Sequence, residues 1–508
     1  MKILLLEHPR TIKPDHCNDI ANTPLSSCLL TGYAAGMLQS GEHEVEIVDG
    51  YMDGLTYEEI WRRVSDIRPN ILGVHMVYQW RPDPDLSGFL ERVRDEGLAK
   101  HITAYGFHPT FAFEDILESC RAIDSVIVGE PEFTFAELAG AVSRRESPWD
   151  IPGLAQRKGP DSVLLIPRRP EPDLDSIPFP VRTGPLFRLP EVNLLGSRGC
   201  YGGCTFCHIN PFYGREGYWR GRSPGNIAAE VDKIICESGQ RRFYFTDPNF
   251  FGPGRAGRER ALSIASLLKS RNISFGIEAR VNDIHDGTIG ALVEAGLRHI
   301  LIGLESGRDE SLKRLNKMTT VAQNERAVAI LRRHGIEPNI GFIMFEPDST
   351  LEDIRVNLEF LTRNGLLNNL PVTANVLYHH QIILKGTPAY RMLQGEGRLV
   401  TEHPNSYEGA ATFTDSRVAA LAQAMRRITN FLFIRMNGIW SGKEPEPGNA
   451  PEKYAGLNSL LVKWFKDLLE ALESGEQLSG AKIEDFVRKA RLEINTILVK
   501  RRQPPSAG

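Results

Sequence analysis

The sequence predicts an α/β protein built from more than one domain. It reads as an N-terminal doubly wound, Rossmann-like sheet, a partial (β/α)6 barrel and a C-terminal helical domain. Three observations predict it. The chain has 508 residues, room for about three domains at roughly 100–200 residues each. Short apolar runs alternate with stretches of helical period through most of its length. A proline-rich break separates two such series.

In residues 1–150 the strands read as Lys2–Pro9, Glu44–Gly50, Asn70–Tyr78, Ile102–Gly106 and Ile123–Gly129. Helical patterns at Ser26–Gly41, Tyr57–Ile67, Leu86–Leu98 and Phe133–Val142 separate or follow them. Continuously apolar strands joined by helices are the mark of a parallel sheet covered on both faces. Residues 151–190 hold nine of the 32 prolines and read as an ordered linker or strap. Residues 191–390 alternate again, with strands expected near Val192–Ser197, Phe243–Asp247, Phe275–Arg280, His299–Glu305, Asn339–Phe345 and Thr373–Ile383. Six units are too few for a closed eight-fold barrel, and they place chemistry at the carboxyl ends of the strands. Residues 391–508 carry helical spacing at Arg417–Met436, Leu457–Leu472 and Ile483–Val499.

Composition excludes several classes. The chain is 41% hydrophobic and 24% charged, an ordinary globular balance. A net charge of −4 sets up no field to gather nucleic-acid phosphates, so no nucleic-acid partner is expected. No apolar run reaches the ~20 residues that span a bilayer, and the first residues read as a strand rather than a signal peptide. A cytoplasmic protein without a membrane partner is expected. The cysteines are seven, an odd number, and three fall within eight residues. That argues for a metal or cluster site over disulfides.

The three form Cys200-Tyr-Gly-Gly-Cys204-Thr-Phe-Cys207, directly after the first strand of the second series. Three thiolates on one loop suit three irons of a four-iron, four-sulfur cluster, leaving the fourth iron open to substrate. A structural zinc site would want a fourth ligand, and His208 abuts Cys207 too closely to share one ion without strain.

On this C-x3-C-x2-C loop and its setting the chain resembles the radical SAM superfamily. Phe206, Thr246-Asp247-Pro-Asn249-Phe250, Phe275-Gly-Ile-Glu278-Ala-Arg280, Leu301-Ile-Gly303-Leu-Glu305-Ser306-Gly307, Gly341-Phe-Ile-Met344 and Lys385-Gly386-Thr387-Pro388 carry the likeness. It implies a [4Fe–4S] cluster on Cys200, Cys204 and Cys207. It also implies S-adenosylmethionine (SAM) contacts by Phe206, Asp247, Asn249, Glu278, Arg280, Glu305, Ser306 and Met344.

The N-terminal half resembles the cobalamin-binding domain of the same superfamily. The matching pieces are Pro24-Leu25, the run Glu44–Asp49, Gly106-Phe-His108-Pro109-Thr110, Gly129-Glu130 and the linker Leu174–Pro180. The resemblance implies cobalamin against His75, Met76, Tyr78, Gly106, His108, Pro109, Thr110, Gly129 and Glu130. The cobalt-ligating signature D-x-H-x-x-G of other cobalamin proteins is missing: Asp283-Ile-His285 starts it, but position 288 is Thr. A strand-end histidine without a metal is the plainer role for His75; a bond to cobalt is the other.

The resemblance thus implies a cobalamin-dependent radical SAM methyltransferase that methylates an unactivated carbon of a small-molecule biosynthetic intermediate. It further implies an external electron donor of the flavodoxin or ferredoxin type. No residue beyond the cluster ligands is expected to be catalytic. Tyr378 and His380 alternate onto one face of the expected sixth strand and are candidate substrate contacts. The alternatives are a cobalamin-binding radical SAM enzyme of non-methylating outcome (rearrangement, cyclisation or oxidation), and a non-catalytic cobalamin or cluster sensor.

Overall fold

The computed structural model describes residues 1–9, 27–76, 83–159, 162–187, 189–213, 218–402, 406–440 and 444–499. Tyr78 and Pro24-Leu25 lie outside these residues.

The first series folds as expected into a parallel sheet. Its strands are β1 (Lys2–Glu7), β2 (Glu44–Asp49), β3 (Ile71–His75), β4 (His101–Tyr105) and β5 (Ser125–Ile127), in the order β2-β1-β3-β4-β5. Every residue of β3 is buried, and so are five of the six in β1. Helices Ser27–Ser40 and Glu132–Arg144 cover one face; Tyr57–Ile67, Pro84–Asp95 and Phe107–Ser119 cover the other. Local signals set the helix starts. Thr56 and Glu59 form a reciprocal capping box, and Asp83 accepts from the first-turn amides ahead of Pro84. The strand order reverses between β1 and β3, which puts a crevice outside their carboxyl ends.

The expected linker contributes to this sheet. Residues Leu154–Gly159 (β6) and Ser162–Leu165 (β7) extend it as antiparallel strands, with Ala155 opposite Val126 of β5. Pro152 and Pro167 fall outside the two strands, so the prolines never contest the ladder. The rest of the segment is the strap: Val181 N–H donates to Gly32 O (3.0 Å) and Arg220 donates to Glu171 O.

The second series forms a five-stranded parallel sheet rather than six strands. After β8 (Val192–Leu194) come the short antiparallel pair β9 (Ser197–Gly199) and β10 (Trp219–Gly221). Then follow β11 (Arg242–Phe245), β12 (Ser274–Arg280), β13 (Leu297–Glu305) and β14 (Asn339–Phe342). The order is β14-β13-β12-β11-β8. The expected sixth strand, Thr373–Ile383, begins instead as helix Leu370–Tyr378. Asn369 caps that helix by accepting from Val372 N–H, and Pro371 sits in its first turn, a start signal stronger than the β-branched residues behind it. The sixth position keeps one parallel bridge, Phe345 to His380.

The C-terminal region, read as free of clear strands, opens with two short ones, Leu399–Val400 and Glu408–Ala411, the second of which also pairs with Ile383–Leu384 just ahead of the region. Helices Ser416–Trp440, Ala450–Glu473 and Gly480–Val499 follow and share one hydrophobic core with the second sheet. No helix among the described residues is long and apolar enough to cross a membrane.

The carboxyl ends of the two sheets face each other through a buried charge network. Arg198 of β9 bonds Glu130 (2.7 Å) and Glu132 (2.6 Å), which follow β5, and Arg220 of β10 shares Glu130 at 2.9 Å. Removing one partner strands the others in a medium that penalises unpaired charge. Arg198→Met is expected to destabilise the chain by about 3–5 kcal/mol, read as a fall in the urea midpoint. An unchanged midpoint would show that the network does not hold the sheets together.

Candidate radical SAM site

The cysteine loop leaves β9 and returns through β10, so the β9–β10 ladder closes its base. Gly199, with φ +78°, makes the turn into Cys200; a Cβ there would strike Tyr218 O. Four separate segments then pin the loop. Tyr201 donates its hydroxyl to both carboxylate oxygens of Asp283 (2.8 and 2.9 Å). Thr205 N–H donates to Leu315 O (3.0 Å), Asn316 Nδ2 to Gly203 O (2.6 Å), and Ala389 N–H to Thr205 O (2.9 Å). Arg280, at the end of β12, donates to Cys204 Sγ (3.4 Å) and to Lys317 O, and packs so closely on Gly202 that no side chain fits there.

The loop walls a cavity of about 200 Å³. Cys200, Cys204 and Cys207 line it together with Phe206, Glu278, Arg280 and Glu305. Among the described residues, no three His, Cys, Asp or Glu side chains converge on one point as a single ion would require. The three thiols border the same space. Burial, together with the neighbouring thiols of Cys204 and Cys200, pushes the Cys207 thiol up to about 12. Cationic Arg280 and Lys317 stand beside Cys204, a position from which positive charge favours the thiolate form.

The sequence-derived SAM residues divide. Phe206, Glu278, Arg280 and Glu305 line the cavity. Asp247, Asn249, Ser306 and Met344 are fully buried behind it. Asp247 accepts from Gly196 N–H (2.8 Å), and burial raises its carboxyl to about 6. Asn249 donates to Asp283 (3.1 Å) and accepts from Phe251 N–H. Ser306 donates to Asn357 (2.8 Å), and Met344 packs into the core of the second sheet. Pro248 takes the place on the cavity wall between Asp247 and Asn249.

Sequence reasoning missed Lys317. Its ammonium, 4% exposed, bonds Glu305 Oε1 at 2.7 Å directly across Gly303, where a Cβ would lie 2.6 Å from Nζ. Burial lowers its pKa, but Glu305 and Cys204 outweigh that and hold it charged. Glu305 has φ +62° at a register shift between β13 and β14, a strained conformation that this ion pair fixes. Only the fold joins Lys317 to Glu305 across a helix and a turn; an isolated lysine in a loop gives no sequence signal.

Tyr378 and His380 do not reach this cavity. Tyr378 ends a helix, and both residues face the C-terminal helices, with Tyr378 edge-on to Phe433 (5.7 Å). The residue between them, His379, is close enough to Glu305 to feel its charge, and burial lowers its pKa.

Of the residues associated with cobalamin, Thr110, Gly129 and Glu130 line a second cavity of about 260 Å³ at the end of β5. Glu130 Oε2 and Glu132 Oε2 are buried there without a hydrogen-bond partner among the described residues. Thr110 ties the strand ends by donating to Gly106 O (2.7 Å) and accepting from Gly129 N–H (3.0 Å). His75 and Met76 are buried at the end of β3, where Gly106 (φ +118°) lets the backbones close in. The His75 ring bonds Glu7 (2.7 Å) and stacks on Tyr105, which with Thr31 completes a buried polar cluster. His108 and Pro109 are buried in the first turn of helix Phe107–Ser119, His108 edge-on to Tyr407.

Comparison with known proteins agrees with this geometry. Residues 194–361 match the model of the radical SAM superfamily. Those residues therefore form a radical SAM domain, and the fold of the whole chain is shared with solved cobalamin-dependent SAM radical enzymes. It superposes on the cobalamin-dependent SAM radical enzyme OxsB, solved with aqua-cobalamin, with a TM-score of 0.80 over 98% of this chain and 80% of that one, at 21% identity. In sequence it is 27% identical over 368 residues to the uncharacterized methyltransferase PH0819 of Pyrococcus horikoshii, covering 71% of this chain and 77% of that protein. It is 28% identical over 351 residues to the anaerobic magnesium-protoporphyrin IX monomethyl ester cyclase of Synechocystis, covering 66% and 67%.

Glu278 sets a pH dependence. It opens onto the cavity yet is enclosed by protein, and burial with the nearby Asp247 raises its carboxyl to about 7 against the Tyr244 hydrogen bond. A carboxyl raised in the folded state binds its proton more tightly there than when unfolded. Its contribution is therefore complete below the unfolded value near 4.5 and is lost as pH rises through 7. Unfolding free energies from urea titrations at pH 5 to 7.5 are expected to fall, with Glu278 contributing about 3 kcal/mol and Asp247 and Asp283, also raised by burial to about 6, adding to the fall below pH 6. Glu278→Gln should reduce the slope, most clearly between pH 6 and 7.5; an equally steep variant there would refute the assignment.

Proposed function

We propose that this protein is a cobalamin-dependent radical SAM methyltransferase acting on an unactivated carbon of a small molecule. The observation that carries the reading is the pairing of a three-cysteine cavity with a second, polar cavity on the facing sheet, joined through Arg198.

The residues fit the cofactors. Cys200, Cys204 and Cys207 would hold a [4Fe–4S] cluster, and Phe206, Glu278, Arg280 and Glu305 would surround SAM on its open iron. The unpartnered oxygens of Glu130 and Glu132, with Thr110 and Gly129, suit the amide- and hydroxyl-bearing periphery of cobalamin; the cavity holds that part rather than the macrocycle. Bound in this way, the cluster with SAM supplies hydrogen abstraction and cobalamin supplies the methyl group. The chain's own part is orientation and exclusion of water. Glu305, fixed by Lys317, offers a carboxylate to an amino or hydroxyl group of SAM. Arg280 neutralises charge at Cys204. Phe206 offers a ring face for stacking. His75, tied to Glu7, supports the floor of the crevice rather than meeting the metal.

Similarity to the cyclase of Synechocystis supports a second reading, a non-methylating radical reaction on the same site. Product stoichiometry separates the two. Methyl transfer should yield one S-adenosylhomocysteine and one 5′-deoxyadenosine per turnover, whereas the second reading requires no S-adenosylhomocysteine.

Two outcomes test the site. Cys204→Ala, reconstituted anaerobically with iron and sulfide, is expected to lose the cluster absorbance and to form no 5′-deoxyadenosine; continued formation would refute the radical mechanism. Lys317→Met should bind SAM at least 10-fold more weakly by equilibrium dialysis while keeping about four irons per chain, since it frees Glu305 without touching a thiol. Unchanged SAM affinity would remove Lys317 from the site.

A further inference from the structure

A third cavity, of about 330 Å³, shares no residue with the cysteine-lined one. Its volume is within the range of small-molecule pockets. Its walls are the chain following β14, the segment 378–381, the strand Glu408–Ala411 and the first half of helix Ser416–Trp440. Phe345, Phe413 and several alanines give it an apolar floor.

The polar groups that line it are Tyr378, His380, Gln381, Gln423, Arg426 and Arg427; two of them are cationic and no carboxylate lines the wall. The two arginines differ in their bonding. Arg427 is held in a two-point pair with Glu484 (2.8 Å for one arm), which fixes its direction. Arg426 makes no ion pair and no side-chain hydrogen bond among the described residues. Most other arginines near this region are paired: Arg398 with Asp348 and Glu396, Arg417 with Asp415. A guanidinium left without a counter-ion at the mouth of a carboxylate-free, apolar-floored pocket is suited to a carboxylate or phosphate, which its planar fork meets at two points.

We infer that this cavity is a binding site for a small organic anion. An aromatic or branched body would rest on Phe345 and Phe413, with a carboxylate or phosphate on Arg426 and the carboxamide of Gln381 on the same wall. The site is separate from the SAM cavity and does not depend on the reaction assigned there. His379, between two residues of its wall, is instead close enough to Glu305 of the cysteine cavity to feel its charge.

Calorimetric titration of the full-length protein tests the inference, with phenyl phosphate, benzoate and neutral benzyl alcohol as probes. At least one anion should bind with a sub-millimolar Kd, at least 10-fold tighter than benzyl alcohol; which anion is tighter names the class. Arg426→Gln, at an exposed position, should keep the wild-type melting temperature and weaken that anion at least 10-fold. Ala422→Phe, which fills the cavity from the helix side, should weaken all three probes. Failure of both anions to bind the wild-type protein, equal binding of benzyl alcohol, or unchanged binding by Arg426→Gln would overturn it.

Discussion

Arg198 lies two residues ahead of Cys200 and is almost fully buried, with its guanidinium divided between two carboxylates of the facing sheet. Taking these charges out of water costs more than a hydrophobic contact of the same size would. The return is positional. A planar guanidinium meets Glu130 and Glu132 in only one orientation. The strand that carries Arg198 also carries the cysteine loop, so the loop is set relative to the first sheet as well as to its own. Phe107 stacked on Phe212 at 4.2 Å, and Arg182 and Arg222 on Glu230 beside Tyr33, extend the same contact with apolar and charged groups.

With the two sheets held in this way, their carboxyl ends form one working space. Parallel strands end with their side chains and free backbone groups on one side, and both series use that side. Arg280 and Gly303 are partners in register on β12 and β13, and Gly341 continues the row onto β14. The two glycines leave room, and Arg280, Glu305 and Lys317 fill its edges with paired charge. The strain at Glu305 is tolerable because the bulge, the ion pair and the Ile343 N–H that donates to its carbonyl (2.8 Å) fix the residue from three directions.

The C-terminal helices close the sixth position of this sheet. Helix Leu370–Tyr378 packs beneath Ser416–Trp440 and Ala450–Glu473, and Phe345 at the sheet end meets Phe465 of the latter. The chain 378–381 is therefore an extended bridge between two environments. That is why, of two neighbouring residues, His380 lines the third cavity and His379 does not.

Much was legible in the sequence. Strand and helix periodicity gave both parallel sheets, because a fully buried strand must be continuously apolar whatever its neighbours are. The cysteine spacing gave the loop, since its three thiols lie within eight residues. What stayed hidden was every feature that depends on a distant partner. The strands β6 and β7 sit among prolines that only their register shows to be harmless. The Thr373–Tyr378 run has the composition of a strand, yet its cap and the helices above it make it a helix. Asp247, Asn249 and Ser306 stand where the motif puts them, and only the fold shows that their side chains bond Gly196, Asp283 and Asn357 while Asp247 Oδ1 is buried without a partner among the described residues. Lys317 joins Glu305 only after the chain has folded back across Gly303. The sequence alone determined the class of fold and the cysteine loop, because periodicity and close spacing act over short stretches of chain. The tertiary structure alone decided which charges face the cavity, because burial and ion pairing belong to residues that meet only in three dimensions.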